Sequence, residues 1–218
     1  MEMDQTKANN ETNRFAGLIL AAGKGERLRP LTASVPKPLI RIGRFSLLDL
    51  ALQSMPMDAE DIAVNASYLA SQIKNHLAGS AVHVSVEPSP LASAGAVGNL
   101  RGWIAGRHLM IRNADMWFDR VPTELWSDWS GENPRLLVQD RGVPSDFGTN
   151  QFLGWSMLPS SRVDALEARP SSLLNEVWLP AARQGKLELV QFKGLAIDCG
   201  THEDLARARD AQQAKDLD

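Results

Sequence analysis

Short apolar runs alternate along this chain with segments whose apolar residues recur at helical spacing. Residues 15–22 (FAGLILAA) are apolar apart from Gly17, which predicts a buried strand running into the turn Gly23-Lys24-Gly25. Residues 46–55, with Leu47, Leu48, Leu50, Ala51 and Leu52, predict a helix, and 61–66 (DIAVNA) a short strand. A second helix is predicted over 67–77, where Leu69, Ile73 and Leu77 share a face. A strand follows at 82–86, a helix at 94–104 and a strand at 108–112. Asp119 reads as the cap of a helix over 121–129, and strands are predicted at 135–139 and 150–157, the second interrupted by Gly154. Between them 142–149 (GVPSDFGT) reads as a loop, and 172–189 as a helix followed by a strand. Thr201 and Asp204 form a variant capping box for a last helix. This alternation predicts an α/β fold, a mostly parallel sheet with helices on both faces, whose ligands lie at the carboxyl ends of the strands. The polar residues 1–14 read as a mobile tail ahead of a single domain over 15–218.

Composition narrows the function. Lys and Arg total 23 against 26 for Asp and Glu, so there is no basic excess of the kind nucleic-acid binders carry. No run approaches the roughly 20 apolar residues of a membrane span, and neither nucleic acid nor membrane is an expected partner. The lone Cys199 excludes an intramolecular disulfide framework and a cysteine-based zinc cluster, which fits a cytoplasmic location. Positive charge is therefore a local matter. Lys24, Arg27, Arg29 and Lys37 crowd the stretch after the first strand, among glycines and prolines. Glycines at a strand end let main-chain amides approach a polyanion, whose charge arginine and lysine neutralise. A nucleoside triphosphate is such a polyanion. The P-loop pattern GxxxxGK[ST] is absent, and GxGxxG breaks because Leu28 stands where its third glycine belongs.

The whole string LAAGKGERLRPLT…PKPLI resembles the signature LAAGxGxRLxPLTxxxPKPL of the nucleotidyltransferases that join a nucleoside triphosphate to a sugar 1-phosphate. Within that superfamily the chain is most similar to short bacterial enzymes of the N-acetylmuramate-1-phosphate uridylyltransferase type, over residues 15–208. The resemblance implies a Rossmann-like, GT-A-like architecture, with a nucleotide-binding half over 15–140 and an acceptor-binding half over 141–218. It implies Mg²⁺ as cofactor, UTP or dTTP as favoured donor, and a sugar 1-phosphate as acceptor. By the same likeness Leu20, Ala21, Ala22, Gly23, Lys24, Gly25 and Glu26 cradle the nucleotide, and Arg27 and Lys37 are catalytic cations.

IRNADMWFD resembles the family's VNGDIWxD, which makes Asp115 catalytic and the first Mg²⁺ ligand and sets Asn113 beside the ribose or the acceptor. LAIDCGTHEDLA resembles WxDVGTPExL and makes Asp198 the second ligand. Glu87 falls at the strand end that often reads the base edge, where a carboxylate accepts the N3–H of uracil or thymine. Ala94 and Gly95 lie in the segment resembling LGTAG, expected against base and ribose, and Gly154, Glu176 and Trp178 are expected near the acceptor. The family's second phosphate-binding lysine has no match, which leaves Arg141 or Lys193 to substitute. Two other readings of the fold stay open: a phosphocholine cytidylyltransferase, and a non-catalytic nucleotide-sensing subunit, against which the presence of Arg27, Lys37, Asp115 and Asp198 argues.

Overall fold

The computed structural model describes residues 15–217; the expected tail over 1–14 lies outside the described residues. A seven-stranded sheet forms the frame. Its strands are β1 (Phe15–Leu20), β4 (Ile62–Ala66), β5 (His83–Val86), β6 (His108–Asn113), β8 (Arg135–Ser145), β9 (Gly148–Leu158) and β10 (Glu188–Gln191), in the spatial order β10-β8-β9-β6-β1-β4-β5. Two short ribbons complete the strands: β2 (Arg41–Ile42) with β3 (Phe45–Ser46), and β7 (Met116–Phe118) with β11 (Ala196–Asp198). The helices are α1 (Leu47–Gln53), α2 (Ala70–His76), α3 (Ala92–Ile104), α4 (Ser160–Asp164), α5 (Leu179–Arg183) and α6 (His202–Lys215).

Burial explains the alternation read from the sequence. β1 is covered on both faces, so successive residues feed different cores: Ala16 and Leu18 pack in one cluster and Ile19 in another. A third cluster, including Leu28, Leu47, Trp117, Ile197 and Leu205, fills the space behind the β7–β11 ribbon. Local chemistry sets the helix starts. The Ser46 hydroxyl accepts the Asp49 amide at 3.1 Å while the Asp49 carboxylate accepts the Ser46 amide at 2.8 Å, a reciprocal cap for α1. The Thr201 hydroxyl accepts the Asp204 amide at 3.1 Å and opens α6.

As expected, the sheet is mostly parallel: β9 runs antiparallel to its neighbours β6 and β8, and the other pairs are parallel. Three features differ from the sequence reading. Residues 142–149 belong to the β8–β9 hairpin, whose outer part is exposed on both faces and so lacks a strand's apolar alternation. No helix forms over 121–129 beyond a single turn at Thr123–Leu125. Asp119 instead accepts the Leu195 amide at 2.8 Å, tying the end of β7 to the segment before β11. The helix expected after residue 172 begins as a π-helical turn, Leu174–Trp178, before α5.

Candidate active site

The site begins where β1 ends. Gly25 adopts φ +63°, in the left-handed region, and its carbonyl accepts the Leu28 amide at 3.0 Å and the Thr32 hydroxyl at 2.8 Å. A Cβ at this position would stand 3.0 Å from both Lys37 Cβ and Thr32 Cγ2, so only glycine lets the turn close against Lys37. A cavity of about 700 Å³ opens above it, within the roughly 300–1,000 Å³ usual for small-molecule sites. Of the predicted residues, Leu20, Ala22, Gly23, Lys24, Gly25, Glu26, Arg27, Lys37, Asn113 and Asp115 all line it.

The ribbon solves the problem of joining two acids far apart in sequence. Antiparallel pairing sets Asp198 opposite Met116, and the Cys199 amide donates to the Asp115 carbonyl at 2.9 Å. Both carboxylates meet one ammonium: Lys37 Nζ lies 2.6 Å from Asp115 Oδ2 and 3.8 Å from Asp198 Oδ1. Arg27 Nη2 stands 3.9 Å from Asp198 Oδ2. Burial first, and the Asp115 carboxylate second, hold the Asp198 carboxyl above its ordinary range, against the opposing pull of Lys37 and Arg27. A smaller cavity of about 120 Å³ shares Asn113 and Asp115 with the first and adds Arg141, Phe152, Gly154 and Asp198. Gly154 and Arg141 therefore reach the acid pair, whereas Lys193 does not line either space.

Six other residues expected at the site line neither cavity. Glu87 is 2% exposed, and its oxygens are taken by Asn65 Nδ2 at 2.8 Å and the Leu91 amide at 3.0 Å, so it has no edge to offer a base. The Ala21 amide is spent on Asn65 Oδ1 at 2.8 Å. Ala94 and Gly95 direct their amides to the Ser171 carbonyl, at 2.9 and 3.3 Å. A Cβ on Gly95 would come within 2.2 Å of the Arg169 carbonyl oxygen, so this glycine serves the close approach of the 167–171 segment to α3. Glu176 pairs with Arg169 at 3.1 Å, and Trp178 is buried against Phe152, ring centroids 4.7 Å apart. Trp178 thus backs the smaller cavity through Phe152 without lining it.

Sequence reasoning missed two residues. Asn65 lines the larger cavity; the signal was an amide closing the otherwise apolar strand DIAVNA. Arg112 is 2% exposed inside an apolar strand and donates to the carbonyls of Leu50 at 2.9 Å, Ala51 at 3.0 Å and Met116 at 3.0 Å. It clamps the end of α1 to the turn that carries Asp115. Its guanidinium also lies 5.1 Å from the Trp155 ring centroid and 5.5 Å from that of Phe118.

Comparison with known proteins agrees with this arrangement. The chain is 29% identical to the N-acetylmuramate alpha-1-phosphate uridylyltransferase of Neisseria meningitidis serogroup B, over 89% of this chain and 96% of that enzyme. It is 24% identical to the mannose-1-phosphate guanyltransferase of Neurospora crassa, over 86% of this chain but only 61% of that longer protein. Among solved structures it matches a Bacillus anthracis protein provisionally assigned as a glucose-1-phosphate thymidylyltransferase, with a TM-score of 0.78. That match covers 94% of this chain and 96% of the other at 19% identity, which speaks for the fold alone. The family described as nucleotidyl transferase matches residues 16–173, a span holding the glycine turn, Lys37 and Asp115, and the chain belongs to that family.

Proposed function

We propose that this nucleotidyltransferase moves a nucleotidyl group from a nucleoside triphosphate to a sugar 1-phosphate and releases pyrophosphate. The observation that carries this reading is the meeting of Lys37, Asp115 and Asp198 where the larger and smaller cavities join. The donor is placed in the larger cavity, its phosphates over the main-chain amides of the glycine turn. The acceptor takes the smaller cavity, with Arg141 as the cation for its phosphate, so that 15–140 and 141–218 divide the work between donor and acceptor. UTP is the favoured donor, by likeness to the meningococcal enzyme, with dTTP next. Among the described residues no helix is long and apolar enough to cross a membrane, and the free buried Cys199 suits the cytoplasm we assign.

The two carboxylates fit Mg²⁺, which is held by one or two hard oxygen ligands from protein and completes its shell with substrate phosphate and water. Among the described residues no group of three or more His, Cys, Asp or Glu gathers to hold an ion unaided. When bound, Mg²⁺ would be held by Asp115 and Asp198 and would offset the charge that develops on the phosphates. Everything else falls to the chain itself. An acceptor phosphate oxygen attacks the α-phosphorus in line, the bond to the β-phosphate oxygen breaks, and pyrophosphate leaves with that electron pair. A phosphate monoester is already largely ionised at neutral pH, so no side chain need remove a proton. Lys37 and Arg27 offset negative charge around the reacting phosphate, and the cavity walls hold both substrates aligned.

The test is pyrophosphate release over a matrix of nucleoside triphosphates against sugar 1-phosphates and phosphocholine, with and without Mg²⁺. Mg²⁺-dependent release with UTP and an amino-sugar 1-phosphate is expected. Release confined to CTP with phosphocholine, or no release with any pair, would overturn the proposal.

A further inference from the structure

Beneath the walls of the larger cavity runs a buried polar chain that the transfer mechanism leaves idle. Asn65, at the carboxyl end of β4, and Glu87, just after β5, are each 2% exposed. Asn65 Oδ1 accepts the Ala21 amide at 2.8 Å, Asn65 Nδ2 donates to Glu87 Oε1 at 2.8 Å, and Glu87 Oε2 accepts the Leu91 amide at 3.0 Å. The chain thus links the turn after β1, the ends of β4 and β5, and the entrance to α3. Every link is polarised: the Ala21 and Leu91 main-chain N–H groups only donate, and the Asn65 amide turns its oxygen to one side and its nitrogen to the other.

The last link falls beside a strained residue. Ala92 takes φ +56°, unusual for a residue with a Cβ, and it lines the cavity together with Pro90 and Ser93. Leu91, immediately before it, is held twice, its amide by Glu87 and its carbonyl by the Ser171 amide at 3.0 Å. On the opposite wall, Ala22 and Gly23 follow the Ala21 amide that Asn65 holds. Glu87 itself lines no part of the cavity.

We infer that Glu87 and Asn65 are positioning residues for the nucleotide donor: together they set the spacing between the glycine turn and the 88–93 wall, with Asn65 on the cavity wall and Glu87 behind it. The inference rests on the donor site proposed above. Glu87→Gln has one acceptor oxygen for two donors, so it sets its own NH2 against either the Asn65 amide or the Leu91 N–H and breaks one of these two links. Combining it with Asn65→Asp restores all three links at unchanged net charge. The new carboxylate at 65 accepts from Ala21 and from the new amide at 87, whose oxygen accepts from Leu91.

The test is calorimetric binding of Mg²⁺ complexes of UTP, dTTP, CTP and GTP without acceptor, alongside steady-state rates and melting curves. Glu87→Gln is expected to weaken binding of each nucleotide that wild type binds by about tenfold, the scale of one lost buried hydrogen bond. Turnover at saturation and the acceptor KM are expected to stay within about twofold, and the double variant to regain most of the affinity. Should Glu87→Gln melt too low to assay, Glu87→Asp, which is too short to reach both partners, is expected to show the same loss. Unchanged affinity, a fall in turnover without a fall in affinity, or a double variant no better than Glu87→Gln would overturn the inference. A loss confined to one base would overturn it too, since Glu87 would then be reading that base. Failure of the transfer proposal shows separately, as nucleotide binding without pyrophosphate release from wild type.

Discussion

Lys37 offers a test in which two measurements move in opposite directions. Its side chain is 10% exposed and stands 2.6 Å from Asp115 Oδ2 and 3.8 Å from Asp198 Oδ1. At an effective dielectric of about 20, Coulomb's law gives gross attractions of about 6 and about 4 kcal/mol for these separations. Desolvation of the ammonium and repulsion between the acids cancel much of that sum. Lys37→Met keeps the length of the side chain and removes the charge. Turnover should fall at least about 100-fold, the scale of losing one preorganised electrostatic group. Divalent-metal affinity of the nucleotide-free protein should rise, because the ammonium and a metal ion compete for the same carboxylate. If about a quarter of the larger attraction acts as net competition, about 1.5 kcal/mol, the metal binds about tenfold more tightly. Mn²⁺ titration followed by electron paramagnetic resonance reads the second effect, and pyrophosphate release reads the first. A variant that melts like wild type yet keeps its rate, or binds Mn²⁺ no better, would show that Lys37 is not the resident counter-cation of the acid pair.

Three further outcomes follow from particular contacts. Gly98→Ala should cost about 1–3 kcal/mol, lowering the melting midpoint by about 2–4 °C per kcal/mol, because the new Cβ would meet the Glu167 carbonyl carbon at 2.2 Å. The better helix propensity of alanine, about 1 kcal/mol, is too small to reverse that, since the opposing atoms are backbone; a rise in the midpoint would refute it. Arg141→Ala should raise the acceptor KM about tenfold and leave the donor KM alone, as one charge-assisted contact is lost; a change in donor KM instead would move Arg141 to the other substrate. Cys199 is fully buried and burial pushes its thiol up to about 12, so iodoacetamide at neutral pH should label only unfolded protein, with mass spectrometry detecting any native adduct.

Strand-helix alternation through β6 was legible because each element buries a face and so carries a period. The lost elements carried no such signal. The outer half of the β8–β9 hairpin is wet on both faces, and the Thr123–Leu125 turn is stabilised by its surroundings, including the packing of Trp126 and Trp129, instead of an apolar stripe of its own. Site residues divide the same way. Those on the glycine turn follow from local geometry, whereas the meeting of Asp115 and Asp198 depends on a ribbon register that no local pattern announces. Glu87 shows the converse error. A carboxylate at a strand end invites a functional reading, but its two partners, Asn65 and the Leu91 amide, become neighbours only when β4 and β5 pair.

The acid pair sits on the β7–β11 ribbon rather than on the large sheet, and that choice needs a physical support. Two strands alone are marginal in water, and here each contributes only a few residues. Trp117 and Ile197 anchor the ribbon on its apolar side, in contact with the cluster that includes Leu47 and Leu205. On the other side Arg112 holds the Met116 carbonyl, one residue beyond Asp115, while gripping the last turn of α1. Burial lowers the Arg112 pKa to about 9, and Asp115 is the charge that opposes this fall. The guanidinium therefore stays charged at neutral pH and does two things at once. It fixes the turn on which Asp115 stands, and it adds positive field behind a carboxylate whose front faces Lys37. Asp115 is thus held between one cation inside the core, Arg112, and one at the cavity floor, Lys37.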